Sequence, residues 1–221
     1  MNPTSANSYY MIGNKYTLLT DDVNAEKCFR RALELQPDFD DVFNWMGQWY
    51  LLTGEFKKAL EANDRKFSLD HDTAAFLRRA GFLHLCFGSA TTAREYLEKR
   101  AVRAGWTIEL AYLNLKSAQR DSARKFLEGE IVQETKDVNL GNEFPGDSYN
   151  IARRNAALGR KAEALKWLRK AIDGGWVDYR FALVDYTMRD LREDNEFKQM
   201  MAQVKAKVDS MKQQVQEMEK K

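Results

Sequence analysis

The side chains best suited to chemistry are scarce in this chain: two histidines, His71 and His84, and two cysteines, Cys28 and Cys86. A structural or catalytic metal needs three or four such ligands, and nucleophilic catalysis needs a thiol or hydroxyl held beside a base. Cys86 follows His84 by two positions, a spacing that on a helix turns the two side chains about 200° apart, so they form no couple. His71 falls at a turn. No glycine-rich phosphate loop, paired-carboxylate motif or zinc spacing occurs. The sequence therefore offers no catalytic residue, no metal site and no cofactor, and an enzyme is not expected. With no disulfide framework to build, a reducing, cytoplasmic setting is expected.

Charge is the next candidate. The strongest run carries Arg153, Arg154, Arg160, Lys161, Lys166, Arg169 and Lys170, which could contact phosphates. Ala152, Ala156, Leu165 and Leu168 claim the packing faces between them, so the run over residues 153–170 reads as the solvated side of two helices, and nucleic acid is not an expected partner. Over the whole chain 35 Lys and Arg face 33 Asp and Glu, too even a balance for a global field that would hold an anionic polymer or membrane. Residues 1–20 lack the basic start and apolar core of a leader, and no later stretch approaches the roughly 18 apolar residues of a membrane span.

The elements that must position these side chains follow from a period. Gly13, Gly47 and Gly81 stand 34 apart, as do Ala25, Ala59 and Ala93, and Tyr16, Tyr50 and His84 keep the same step. Tyr9, Ile12, Gly13 and Tyr16 share one helical face, and Ala25, Phe29 and Ala32 share another, so each unit is a pair of helices. Small residues at the crossing let the backbones approach, which makes Gly47 and Ala59 positions where added volume should disrupt the fold.

At these columns the chain resembles the tetratricopeptide repeat family, whose 34-residue pattern runs aromatic, Leu, Gly, Tyr, then Ala, Phe, Ala, Pro. The first unit, residues 6–39, reads Tyr9, Ile12, Gly13, Tyr16, Ala25, Phe29, Ala32, Pro37. The second departs in its second helix, with Asn63, Lys66 and His71 where Phe, Ala and Pro are usual. The third, to residue 106, keeps Gly81, Gly88, Ala93 and Leu97. A shortened fourth unit follows around Ala123, and a fifth restarts with Tyr149, Ala152, Gly159, Ala164 and Leu168. The fold expected is all-α: a right-handed α-solenoid of about five such pairs with a C-terminal capping helix. Its divisions are repeats 1–4 over 1–132, a loop over 133–147, a fifth repeat and following helix over 148–196, and a C-terminal amphipathic helix over 197–221.

The resemblance implies a protein-interaction scaffold with a concave groove for a peptide or helix of a partner, lined from the first helix of each unit. Transferred by position, the lining is Asn7, Tyr10, Asn14 and Thr17, then Asp41, Asn44, Gln48 and Leu51, then Arg78 and Phe82. One subfamily grips a chaperone's terminal carboxylate with lysines and asparagines. The corresponding places here hold Tyr10, Asn14, Trp45, Ala75 and Arg79, of which only Asn14 and Arg79 match, so that activity is not expected. The ending from Gly175-Trp176 to Phe197 resembles repeat arrays attached to bacterial transcription regulators, cyclases and kinases, which implies a sensory or regulatory part of a larger protein as the alternative. Finally, Phe197, Met201, Val204, Val208, Met211, Val215 and Met218 step by four and three. Such a seam suits a cap or a dimer, and Lys207 facing Lys212 across a parallel pair disfavours homodimerisation.

Overall fold

The computed structural model describes residues 5–141 and 144–220, and every regular element among them is helical. Ten helices form five antiparallel pairs: α1 (Ala6–Leu18) with α2 (Asp22–Leu35), α3 (Asp40–Leu52) with α4 (Phe56–Asp70), α5 (Thr73–Cys86) with α6 (Ala90–Ala104), α7 (Ile108–Asn114) with α8 (Arg120–Asn139), and α9 (Pro145–Ala157) with α10 (Lys161–Asp173). The pairs stack into the expected right-handed solenoid. Side-chain caps start several of them: Ser5 accepts from the Ser8 N–H, Asp21 from Asn24 and Asp72 from Ala75, each satisfying a donor that the first helical turn leaves open.

The turn inside four of the five pairs repeats as faithfully as the helices; the α7–α8 turn is closed differently, by Ser117 N donating to Asn114 O. Asp21 N donates to Tyr16 O, Glu55 N to Tyr50 O, Ser89 N to His84 O and Arg160 N to Asn155 O, at 2.7–2.9 Å. This closure needs one residue in the left-handed region just before the donor. Gly54, Gly88 and Gly159 supply it, while the first unit uses Thr20 at φ 57°, a conformation that a β-branched residue adopts only at a cost. His71, where Pro is usual, stops α4 by adopting φ 54°.

What fills the space between paired helices differs from unit to unit. A Cβ built on Gly13 would lie 2.7 Å from the Phe29 ring, and one on Gly81 2.5 Å from Leu97. Both partners are fully buried. At Gly47 the same test meets only Ala59 O and the Ala62 Cβ at 3.7 Å, because the residue in the Phe29 and Leu97 column is Asn63. The expectation that Gly47 packs tightly is therefore corrected. Ala59, which is completely buried, keeps its role. Lys66, in an alanine column, is buried and ion-paired to Asp40 at 2.6 Å and Asp70 at 3.3 Å.

Two further expectations change in the second half. The loop expected over 133–147 is mostly helix, since α8 runs to Asn139. Its polar residues sit on the outer face, where Gln133 donates to Asp137 one turn on and Glu134 pairs with Arg154 at 2.8 Å, and Val138 alone is buried among them. Polarity here marks a solvated helix face. Pro145 then opens α9; residues 142 and 143, inside the expected loop, lie outside the described residues. The second change concerns residues 176–192. They form a short helix α11 (Tyr179–Val184) and a 3-10 turn (Tyr186–Leu191) that cross the concave side of the array.

Last comes α12 (Asn195–Glu219), the capping helix. Phe197, Met201, Val204 and Val208 of the seam, with Met200, enter one core with Leu168, Ala171 and Trp176. The seam then runs past its support: Met211 and Met218 are exposed. Three of its lysines are engaged within the chain, Lys198 with Glu193 and Lys205 with Asp209 at 2.6 Å, and Lys212 Nζ donates to Thr20 O at 3.0 Å.

Candidate functional site

The expected groove positions lie on the first helices α1, α3 and α5, and the chain itself covers part of them. Arg180 Nη1 bridges both oxygens of Asp22 at 2.9 and 3.0 Å, and its Nη2 donates to Thr17 O at 2.7 Å. Gln48 Nε2 donates to Asp178 at 3.3 Å. Phe181 stacks on Phe82 with centroids 5.8 Å apart, and Tyr186 meets the same ring edge-on at 5.9 Å. The segment 176–192 thus acts as a strap across the concave face. Burial raises the Asp178 carboxyl to about 6, although the Phe181 N–H, Arg180 and Gln48 pull the other way.

The expected lining consequently divides. In the first unit Tyr10 packs on Phe39 and Thr17 turns its hydroxyl back to Gly13 O. The buried Asn14 amide, oriented to satisfy both neighbours, donates to Tyr10 O and accepts from Trp45 Nε1, each at 3.2 Å. These three are structural. Asn7 and Asp41 are exposed at the rim. Asn44, Gln48, Leu51, Arg78 and Phe82 come together around one cavity of about 170 Å³. That cavity is the candidate site.

Its walls combine the rings of Phe43, Phe82 and Phe181 with polar and charged side chains, and Gly47 and Asn63 are among its lining. Asn63 cannot fill the space as a ring would. It folds aside instead, donating from Nδ2 to Phe76 O at 3.2 Å and accepting from Arg79 Nε at 2.6 Å. The lining residues that sequence reasoning missed include two buried charges, Glu109 on α7, which is 0% exposed, and Arg153 on α9, at 7%. Arg153 pairs with Asp185 of the strap at 2.6 Å, and Asp185 also accepts from the Tyr149 hydroxyl at 3.0 Å. Burial would raise the Glu109 carboxyl, but Arg78 and Arg153 outweigh it and hold the group below the ordinary glutamate value. Nothing in Glu109's local spacing signalled this, and Arg153 opens the basic run that the sequence pattern places on a solvated face.

The other chemical candidates resolve plainly. His84 packs between Phe56 and Tyr96, at 5.2 and 5.5 Å. Burial pushes the Cys86 thiol up to about 12, which leaves it un-ionised and inert as a nucleophile. No group of His, Cys, Asp or Glu among the described residues could hold a metal. The basic run is neutralised rather than merely solvated: besides Arg153, Arg154 pairs with Glu130 and Glu134, Arg160 with Glu128, Lys161 with Asp194 and Arg169 with Glu196. No helix among the described residues is long and apolar enough to cross a membrane.

Paired helices at a 34-residue step, tight glycine crossings and a concave site define an α-solenoid of tetratricopeptide type. Residues 6–39 match the family model for the tetratricopeptide repeat, so the chain carries a repeat of that family in its first unit. Among solved structures it is similar to PilW, described as a widely conserved type IV pilus biogenesis factor, at 16% identity over 91% of this chain and 92% of that one, TM-score 0.49. Pseudomonas aeruginosa pilF is similar at 17% identity over 91% and 90%, TM-score 0.47. MamA is similar at 19% over 76% and 91%, TM-score 0.42. No curated protein matches the chain.

Proposed function

We propose that this chain is a protein-interaction scaffold that receives a segment of a partner on its concave face between α3 and α5. Asn44 and Arg78 stand exposed at the mouth of the cavity, while Gln48, Leu51 and Phe82 form its inner side. The observation that carries this reading is the cavity itself, a concave, aromatic-walled recess on the face where the repeat presents its first helices. An amide and a guanidinium at the rim can pair with a partner's backbone and acidic groups, and the phenyl rings can take an apolar side chain. The strap narrows the binding face to this middle section, because Arg180 and its contacts occupy the first unit.

The test is capture of partners by the intact chain and by an Asn44→Ala/Arg78→Ala variant, followed by titration of each captured protein. A partner lost from the variant while the chain still melts cooperatively, at a temperature lowered by the loss of Arg78 beside the buried Glu109, is the expected result. A partner held equally by both, or released only when Arg154, Arg160 and Lys161 are changed, overturns the assignment.

A further inference from the structure

Cations on α2, α6 and α12 are answered by a carboxylate one turn away: Arg30 by Glu26, Arg94 by Glu98 and Lys205 by Asp209. Helix α8 departs from this at its start. Arg120 and Arg124 lie one turn apart, about 6 Å along the axis, where like charges repel. Glu128, one turn beyond Arg124 and its natural partner, is taken by Arg160 of the next pair. Asp121, the acid of the first turn, is exposed and does not line the recess described next. Arg120, Arg124 and Lys116 of the preceding turn thus have no side-chain hydrogen bond, ion pair or ring contact among the described residues. All three border one open recess between the α7–α8 and α9–α10 turns, with Leu115, Ala157 and Leu158 as its apolar lining. It shares no residue with the concave cavity.

We infer that this recess docks an acidic helical segment of a partner protein, with two carboxylates one turn apart on Arg120 and Arg124 and an apolar side chain against Leu115, Ala157 and Leu158. Charge complementarity selects the occupant. Two guanidinium forks at a one-turn spacing match two Glu or Asp at the same spacing, and each fork takes a carboxylate through two parallel hydrogen bonds. A small anion would answer the charges but leave Leu115 and Leu158, both half-buried, without cover. Nucleic acid fits less well. No ring lines the recess to stack a base, and the nearby Arg160 and Lys161 are neutralised by Glu128 and Asp194, so the open positive surface is one short row rather than a track for a phosphate backbone. Docking also removes the repulsion that Arg120 and Arg124 carry in the free chain. The inference goes beyond partner binding at the concave face, because this surface lies at the turn edge of the last two pairs.

Fluorescence anisotropy of the intact chain with a labelled alanine-based helical peptide, carrying Glu at i and i+4 and Leu at i+3, tests it. The peptide binds saturably and more weakly as salt is added. Peptides with Gln in place of both Glu, or Ser in place of Leu, bind about tenfold more weakly or worse. Arg120→Glu abolishes binding and leaves the melting temperature equal or higher, because a glutamate there pairs with Arg124 one turn on and adds an acid to the first helical turn. Arg124→Gln weakens binding about tenfold through loss of one fork. Absence of binding, equal binding of the Gln peptide, or binding that survives Arg120→Glu overturns the inference. A lower melting temperature in Arg120→Glu also overturns it, by giving that arginine a structural role. A short DNA duplex or inorganic phosphate bound as tightly as the peptide overturns it in favour of nucleic acid or a small anion. The titration needs no captured partner, so its failure and that of the concave-face assignment are told apart.

Discussion

The first and second helix pairs share a register and differ in what the register holds. In the first, Phe29 closes over Gly13 and is fully buried. In the second, Asn63 turns aside toward Phe76 and Arg79, and a cavity stands over Gly47. A repeat therefore dictates the path of the backbone but not the contents of the space it encloses. One aromatic-to-amide difference in a core column leaves a cavity where the first unit is packed, while the helices keep their places.

The sharpest way to break this contrast is to truncate both columns. Phe29→Ala should cost about 3–5 kcal/mol, the usual loss for a buried ring, whereas Asn63→Ala should cost about 1–2 kcal/mol, from the hydrogen bonds to Arg79 and Phe76. Denaturant melts of the two variants check this, and equal losses would mean that the second column packs like the first. Next in size come the glycines: Gly13→Ala and Gly81→Ala should lose about 1–3 kcal/mol through overpacking. Gly47→Ala, with only ordinary contacts at 3.7 Å, should be neutral or gain up to about 1 kcal/mol of helix propensity.

The strap supplies a pH-dependent test of the same contrast, because it fixes Gln48 of the second unit through Asp178. The folded-state value of Asp178 is raised from 3.8 to about 6, so the folded chain holds this proton more tightly than the unfolded chain. The resulting stability is present below about pH 4, declines as pH rises toward about 6, and is gone above it. Asp178→Asn should accordingly stabilise the chain by on the order of 1 kcal/mol near pH 7.5, after allowance for solvent screening, and by nothing near pH 4. Melting temperatures across that range measure it; a gain independent of pH would remove the strap's carboxyl from the explanation. The smallest effect belongs to the first turn, where Thr20→Gly should relieve the left-handed strain that Gly54 and Gly88 avoid, raising stability by about 0.5 kcal/mol once glycine's extra unfolded-state freedom is set against it.

Much of the architecture was legible because a period of 34 transfers column by column. That step also placed Asn44, Gln48, Leu51, Arg78 and Phe82 on the face where the cavity lies. It gave no sign that Phe39, Trp45 and Arg180 engage Tyr10, Asn14 and Thr17; the first two come from α3 and the residue that precedes it, and about the third, which arrives from over a hundred residues away, a periodic column carries no information. The strap was illegible for a related reason: α11 is six residues long and its neighbour is a 3-10 turn, too short for an apolar stripe to repeat. Glu109 and Arg153 were missed because burial of a single charge is set by tertiary neighbours, here Arg78 and Asp185. At 133–139 the reading took a solvated helix face for a loop, since only Val138 marks its inner side.

The bond between Arg180 and Asp22 spans 158 positions, and that between Lys212 and Thr20 spans 192. An open array touches only its neighbours, so it can assemble one repeat at a time from any starting point. This chain has given up that freedom. Closing such long spans costs chain entropy before any contact rewards it, which slows folding and couples the last-made residues to the first. During synthesis the first helix pair emerges early, yet Asp22, Thr17 and Thr20 keep their final partners waiting until residues 180 and 212 have been made. The array is therefore completed as a whole from its tail, and a chain interrupted before the strap would carry an unfinished first unit however well its own repeat is formed.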